Sequence, residues 1–396
     1  MSYLNFFCQY HKVLFFGVLL TFFSSFGQTF LISVFVPHIL KEFSLNSGQF
    51  GTIYSLATLC SAALLPFFGR LLDKSRISTF TFCIGLTLLL SCWLMALSPG
   101  VAFLFAALLG LRISGQGLMG LTASTAMARL FTKFRGRALS ISATGYPLGE
   151  GILPLVTVLI LHSYGLRITW LIAGFFIALI FLPLSIFLIR DTGTPAEETT
   201  KTEEEWSPKH LLGDVRFYLI LPGIMAIPFL LTGIFLYQTS LADFKGYTPG
   251  LMASGFTAYA LMRMLSSIAV GPWIDRLGGI RLFPFSVIPL FMGLIVLWTQ
   301  SGIWCIYLFF ILAGASQGVS GIIATTVWAE IYGVNVLGQV KSLSAMVVVF
   351  STALSPALFG WMIASNFSFS WILPGAAAFC ILAFVSGLAM RRIPRT

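Results

Sequence analysis

Charge is what this chain of 396 residues has least of: 9% of it is Asp, Glu, Lys or Arg, where a soluble domain carries about 25%. So little charge cannot give a protein of this length a polar surface, which excludes a soluble fold. Histidine is scarce as well. His11, His38, His162 and His210 are scattered and lack cysteines at ligand spacing, so no metal site is expected. Cys60, Cys83, Cys92, Cys305 and Cys380 lie inside apolar runs and Cys8 precedes the first, which leaves no disulfide framework. A Gly-Lys-Ser/Thr phosphate loop is missing, so ATP is not the expected energy source, and no nucleophile stands beside a general base. An enzyme and a resident cofactor are therefore not expected. The first apolar run has no small-residue cleavage site and continues too long for a cleavable signal peptide.

Apolar length is what the chain has in abundance. Hydrophobic residues make up 58% of it, and the mean hydropathy is +0.95. A run of roughly 20 apolar residues spans the hydrocarbon of a bilayer. Twelve such runs are legible, over about 13–36, 48–70, 77–97, 101–129, 137–161, 167–189, 217–241, 250–273, 281–300, 302–328, 338–364 and 370–390. Lipid offers backbone N–H and C=O groups no partner, so all twelve are expected as α-helices. The fourth and tenth exceed what a bilayer needs and are expected to tilt or project.

The net charge of +10 does not point to nucleic acid, because the bases sit in short clusters between apolar runs. Eighteen of the 23 Lys and Arg fall on the side of the N-terminus, and only Lys41, Arg167 and Lys245 on the other. The remaining two, Arg112 and Arg263, lie within apolar runs. Lys and Arg collect on the cytoplasmic side of membranes. Both termini are therefore expected in the cytoplasm, and the protein in a plasma (bacterial inner) membrane, partnered by lipid and working as a monomer.

The one hydrophilic stretch, 191–215, carries Glu197, Glu198 and Glu203-Glu204-Glu205 and reads as a solvated cytoplasmic linker. It is expected to separate an N-terminal six-helix bundle over 1–190 from a C-terminal one over 216–396. The halves repeat each other. Gly69-Arg70-Leu71-Leu72-Asp73-Lys74-Ser75-Arg76 recurs as Gly271-Pro272-Trp273-Ile274-Asp275-Arg276-Leu277-Gly278, 202 residues on. Gln116-Gly117 aligns with Gln317-Gly318 at an offset of 201, and Ser140-Ile141-Ser142-Ala143 with Ser342-Leu343-Ser344-Ala345 at 202. Blocks in register half a chain apart indicate an internal duplication. Gly115, Gly117 and Gly120, like Gly314, Gly318 and Gly321, are expected to let helix backbones approach closely.

The two charged loops resemble those between helices 2 and 3 and between helices 8 and 9 of the major facilitator superfamily. Ser75 stands where a Gly is usual, and Gly278 is kept. The resemblance covers essentially the whole chain. It implies an all-α membrane protein of twelve transmembrane helices in two pseudo-symmetric six-helix bundles, working by alternating access around a central site. It also implies gating roles for Gly69, Arg70, Asp73, Lys74 and Arg76, with Asp73 pairing to Arg129, Arg135 or Arg137. Gly271, Asp275 and Arg276 are the counterparts in the second half.

Three charges lie deep in apolar runs: Arg112, Glu150 and Arg263. A charge at a helix centre costs about 2.5–3.5 kcal/mol on insertion scales and usually faces a cavity or a partner. Their repeat counterparts, Ala313, Thr352 and Ser61, are uncharged, so the duplicated packing does not demand them. A single ion pair of Arg112 with Glu150, fastening neighbouring helices, is the simplest reading. Two arginines beside one carboxylate instead make a positive site, and the planar fork of Arg suits carboxylate. Gln28, Gln116, Tyr146 and Gln317 are the polar residues expected to line it with Arg112 and Arg263. Glu150 is the expected proton carrier.

Leu111-Arg112-Ile113-Ser114-Gly115-Gln116-Gly117 resembles the fourth-helix arginine motif of proton-coupled members. Arg263 is similar to the helix-8 arginine of monocarboxylate and oxalate/formate carriers, one turn further from the loop glycine. Tyr146-Pro147-Leu148-Gly149-Glu150-Gly151 replaces two glycines of the helix-5 pattern of drug–proton antiporters. The expectation is a proton-coupled secondary transporter for a small organic anion, with protons and that anion as partners. Export of amphipathic drugs is the alternative, and a non-cycling transporter-like sensor or scaffold the alternative of another class.

Overall fold

The computed structural model describes residues 3–131, 134–189, 213–333 and 337–392, and within them all side chains except those of 3–8, 73, 135, 337–339 and 342. The described elements are all helical. They fall into two compact units, one of Met1–Leu45 with Thr52–Thr199, the other of Asn46–Gly51 with Thr200–Thr396. Of the linker expected over 191–215, only its last three residues are among those described.

The first unit opens with α1 (Tyr3–Phe23), a 3-10 turn (Ser24–Gly27) and α2 (Thr29–Glu42). Then come α3 (Ser47–Lys74), whose first turn is counted with the second unit, α4 (Ile77–Leu97) and α5 (Val101–Leu111). A π-helical segment (Arg112–Met119) leads into α6 (Gly120–Leu130), followed by α7 (Arg135–Ala143) and α8 (Gly145–Phe176). A second π segment (Ile177–Phe181) and α9 (Leu182–Ile189) close the unit. Within it α4 packs along α8, and α1 along α7 and α8.

The second unit holds α10 (Val215–Leu236), α11 (Gln238–Lys245), α12 (Pro249–Ala269), α13 (Gly271–Leu277) and α14 (Gly279–Leu282). A 3-10 turn (Phe283–Val287) precedes α15 (Ile288–Thr299), and α16 (Ile303–Tyr332), α17 (Leu337–Ala364) and α18 (Phe369–Arg391) complete it. Here α12 lies along α16, and α10 along α17 and α18. The core of its α10 end gathers Phe217, Ile220, Phe283, Val327, Trp328 and Met390.

Among the described residues, ten stretches are long and apolar enough to cross a membrane. One of them, Gly136–Ile189, has 54 residues and turns at Gly165, whose φ of +75° suits a residue without a β-carbon, so it crosses twice. The 21-residue α12, which carries Arg263 and three serines, falls outside these ten, so the described helices amount to between ten and twelve apolar crossings. This is the all-α architecture expected from the apolar runs. Large apolar side chains remain bare on the outside, Leu159 at 70% and Leu179 at 73% exposure, as lipid contact requires and water would not.

The glycines on the fourth and tenth crossings do bring chain segments together. A β-carbon on Gly115 would lie 2.6 Å from the backbone N of Gly27, and one on Gly117 2.7 Å from Leu65. Gly120 faces the Tyr146 hydroxyl, Gly314 the backbone of Tyr259, and Gly318 that of Arg263. Gly321 differs: nothing lies within 4 Å of its missing β-carbon.

Candidate functional site

The first crossing was expected as one helix over 13–36. It is broken near its middle. Ser24–Gly27 tightens into a 3-10 turn, Gln28 becomes extended (φ −85°, ψ 149°), and α2 starts afresh at Thr29. The break redirects a backbone bond. In a continuous helix Leu31 N–H would donate to Gly27 C=O; here it donates to Gln28 C=O at 3.2 Å. The Gly27 carbonyl is thereby released inside the protein, where a buried C=O left unpaired costs about 1–3 kcal/mol.

Arg112 takes it. Its Nη1 donates to Gly27 O at 3.1 Å and to Thr29 Oγ1 at 3.4 Å, and its Nε to Thr58 Oγ1 at 3.1 Å. The guanidinium carbon lies 5.0 Å from the ring centre of Tyr54, whose hydroxyl donates to Thr29 Oγ1 at 3.0 Å. Arg112 is 1% exposed. Each bond from a charged donor contributes about 1.5–3 kcal/mol, so three of them, with a ring face, outweigh the roughly 2.5–3.5 kcal/mol of placing the charge there. The simple ion pair with Glu150 is not what this geometry shows: the hydrogen bonds of Arg112 go to neutral oxygens.

Local sequence explains the approach. Arg112–Met119 is wound as a π-helix, a form that recurs at functional sites. Gly115 of that segment and Gly27 of the turn meet backbone to backbone, and the Gln116 N–H sits beside Gly27. Arg112, Gln28 and Gln116 are therefore brought to one place, the last two half-buried. Tyr146 stands about one turn along, at Gly120. Glu150 is buried on α8, next to Gly149, whose missing β-carbon would meet Ser25 and the Phe22 carbonyl.

In the second unit Arg263 is half-buried on α12, its backbone pressed against Gly318 of α16. Gln317 lines a cavity of about 350 Å³ bounded by α10, α16, α17 and the turn at Phe283.

The loop residues are partly visible. Gly69 has Leu121 at 3.7 Å from its missing β-carbon, and Arg70, Lys74 and Arg76 are exposed. Arg129 and Arg137 are half-buried, with the Arg137 guanidinium 5.4 Å from the ring centre of Phe134. The expected pairing of Asp73 lies outside the described side chains. In the second copy Gly271 opens on empty space, and Asp275 and Arg276 are exposed. Gly278 takes φ +81°, and Ser75, where the first copy has no Gly, is not among the residues of positive φ. Ser75 is tolerated because the first loop turns without that conformation.

Sequence reasoning missed Gly27, Thr29, Tyr54 and Thr58, the partners of Arg112. The polar interruption Ser24-Ser25 with Gly27-Gln28, inside an otherwise apolar run, was the available signal. It also missed Glu330, whose carboxylate accepts from Gly279 N–H at 2.6 Å and Ile280 N–H at 3.1 Å and so caps α14. Among the described residues no cluster of His, Cys, Asp and Glu could hold a metal ion.

The sequence matches the description of the Major Facilitator Superfamily over residues 17–262 and again over 241–396. The chain belongs to the major facilitator superfamily. It is an integral membrane transporter of small molecules and not an enzyme. A gentisate transporter of Corynebacterium glutamicum is 25% identical over 381 residues, 90% of this chain and 82% of that protein. A homolog of the multi-drug resistance efflux pump PmrA from Lactococcus lactis is 28% identical over 66% of each chain. Among solved structures, the nucleoside transporter NupG superposes with a TM-score of 0.71 at 13% identity, over 97% of this major facilitator and 99% of that chain. A bacterial homolog of the human lysosomal transporter Spinster, inward-facing and unoccupied, gives 0.69 at 15%, over 96% and 93%. At those identities the two structures speak for the fold alone.

Proposed function

We propose that this major facilitator moves a small organic anion of the carboxylate type, coupled to protons. The observation that carries the reading is the positive charge built into the break of the first crossing. Arg112 is fixed there, and α2 begins there, with the positive end of its dipole at Thr29. Half-helices that start inside a membrane favour anionic groups at their N-termini. Arg263 adds a second cation in the other unit, and the gentisate transporter among the relatives supports an anionic cargo. In this reading Arg112, Arg263, Gln28, Gln116, Tyr146 and Gln317 serve the substrate, and the loops at 69–76 and 271–281 serve gating. Glu150 carries the proton, since a buried carboxylate whose charged surroundings change can take one up in one state and release it in another.

The test is uptake of a labelled organic-acid panel into proteoliposomes, with and without an imposed pH gradient. Gradient-driven uptake of acids is expected, weakened by Arg263→Lys and much more by Arg263→Ala. Glu150→Gln is expected to abolish the response to the gradient while preserving exchange of substrate for substrate. Neutral or cationic preferred substrates would overturn the reading. Export of amphipathic drugs would then take its place, a function favoured by the similarity to the efflux-pump homolog.

A further inference from the structure

Between α2 and the two legs of α8, all within the first unit, lies a hollow of about 140 Å³. We propose that it is a binding site for a compact apolar molecule the size of a benzene ring, drawn from the bilayer, and that its occupant steadies the break of the first crossing. The inference goes beyond the transport reading and does not depend on the cargo.

Size and wall chemistry define the occupant. A dry cavity of about 150 Å³ walled by Leu, Ile and Phe takes up benzene or xenon, so this volume admits a ring and little more. Twelve described residues line it, and only Thr157, Thr169 and Trp170 among them have a polar side-chain atom. Thr169 Oγ1 gives its proton to the Gly165 carbonyl at 2.7 Å, and Trp170 Nε1 is enclosed by protein. A charged or strongly polar molecule would shed its water there and recover no hydrogen bonds in exchange. Val156 and Ile172, which line the hollow, are also exposed on the outside. They belong to the same two crossings as the bare Leu159 and Leu179. The occupant therefore enters from hydrocarbon, not from water.

Depth favours a compact molecule over a lipid chain. Thr157 precedes the turn at Gly165 by eight residues and Thr169 follows it by four, about 12 and 6 Å along the helices at 1.5 Å per residue. The middle of the hydrocarbon lies about 15 Å in. An acyl chain at the depth of the hollow is still mid-length and must double back to enter, whereas a ring enters whole.

The internal duplication shows that this interface accepts a ring. By the offset of 202, Thr157 corresponds to Phe359 and Leu31 to Gly233. In the second unit the Phe359 ring lies over Gly233, whose missing β-carbon would be 2.5 Å from it. In the first unit the chain supplies no ring at that place; Leu31 takes part of the space, and the hollow is what remains.

An occupant touches both sides of the break. Phe26 belongs to the 3-10 turn before it, and Leu31 and Phe35 to α2 after it. A change in the angle of α2 reshapes the wall, so the occupant binds one arrangement in preference and shifts the population toward it.

The experiment photolabels the full-length protein in lipid nanodiscs with 3-phenyl-3-(trifluoromethyl)diazirine and maps the adducts by mass spectrometry. Benzene, toluene and butylbenzene compete at equal membrane concentration. Benzene and toluene should lower the adducts on residues lining the hollow at least twofold, and butylbenzene should not. Adducts at lipid-facing Leu179 should stay constant. Ala173→Leu and Thr157→Leu fill the hollow from different legs of α8 and should each lower its labelling at least threefold. Ile160→Ala widens it and should let butylbenzene compete. Benzene should slow hydrogen exchange in peptides covering 24–36 at least twofold in the wild type and not in Ala173→Leu. Each variant's elution as a monodisperse peak establishes that it is folded. Competition of the same extent in the hollow and at Leu179 would mean solution in bulk lipid and overturn the site, as would unchanged labelling in both filled variants. A hollow labelled only after lipid is stripped away would belong to an acyl chain and overturn the compact ligand. Labelling with unchanged exchange over 24–36 would overturn the hold on the break. None of these outcomes bears on the cargo.

Discussion

Gly27 and Gly115 touch through their backbones: a β-carbon added to Gly27 would lie 2.9 Å from the Cα of Gly115. One added to Gly115 would lie 2.8 Å from the Cα of Gly27. Both neighbours are backbone and cannot swing away. Gly115→Ala is therefore expected to cost about 1–3 kcal/mol through overpacking and to slow transport by pushing Arg112 away from its carbonyl partner. Gly321→Ala, with open space at its β-carbon, is the control and should melt like the wild type. Melting of the purified variants checks both, and an unchanged Gly115→Ala would show that the two segments can separate freely.

Arg112 holds Gly27, Thr29 and Thr58 at once, which an ammonium on a flexible stem cannot reproduce. Arg112→Lys keeps the charge and is still expected to lose about 1.5–3 kcal/mol for each bond not remade. Thr58→Val removes one partner of the same network, so the double variant should fall short of the sum of the single losses. A double-mutant cycle read by thermal unfolding and by uptake decides it; strict additivity would mean that the bond to Thr58 contributes nothing.

Glu330 caps the start of α14 with two backbone bonds, and Gly278 bends the chain beneath it at φ +81°. Glu330→Ala should cost about 0.5–2 kcal/mol, the usual loss on removing a helix cap, and quicken hydrogen exchange at Gly279 and Ile280. Glu330→Gln keeps one acceptor oxygen and should retain part of the protection. Exchange measured by mass spectrometry on peptides covering 275–285 gives the answer, and unchanged protection in Glu330→Ala would remove the cap from the account.

The uneven distribution of Lys and Arg predicts that both termini face the cytoplasm. A reporter fused after Thr396 that works only in the cytoplasm is expected to be active, and one that works only outside the cytoplasm is expected to be silent. The opposite pattern would reverse the orientation of every crossing.

The apolar runs by themselves determined the class of fold, because partition into lipid depends on a run of about 20 neighbouring residues. That property is local and needs no tertiary contact. The offset of 201–202 residues likewise exposed the duplication, and the rarity of charge singled out Arg112, Glu150 and Arg263. Tertiary structure decided what those charges touch. Arg112 reaches a carbonyl 85 residues earlier in the chain, freed by a break that the hydropathy of the run conceals. The cap from Glu330 and the cavity beside Gln317 depend in the same way on distant segments packing together. Hydropathy sums along the chain, whereas a hydrogen bond forms between whichever donor and acceptor the packed helices bring within about 3 Å.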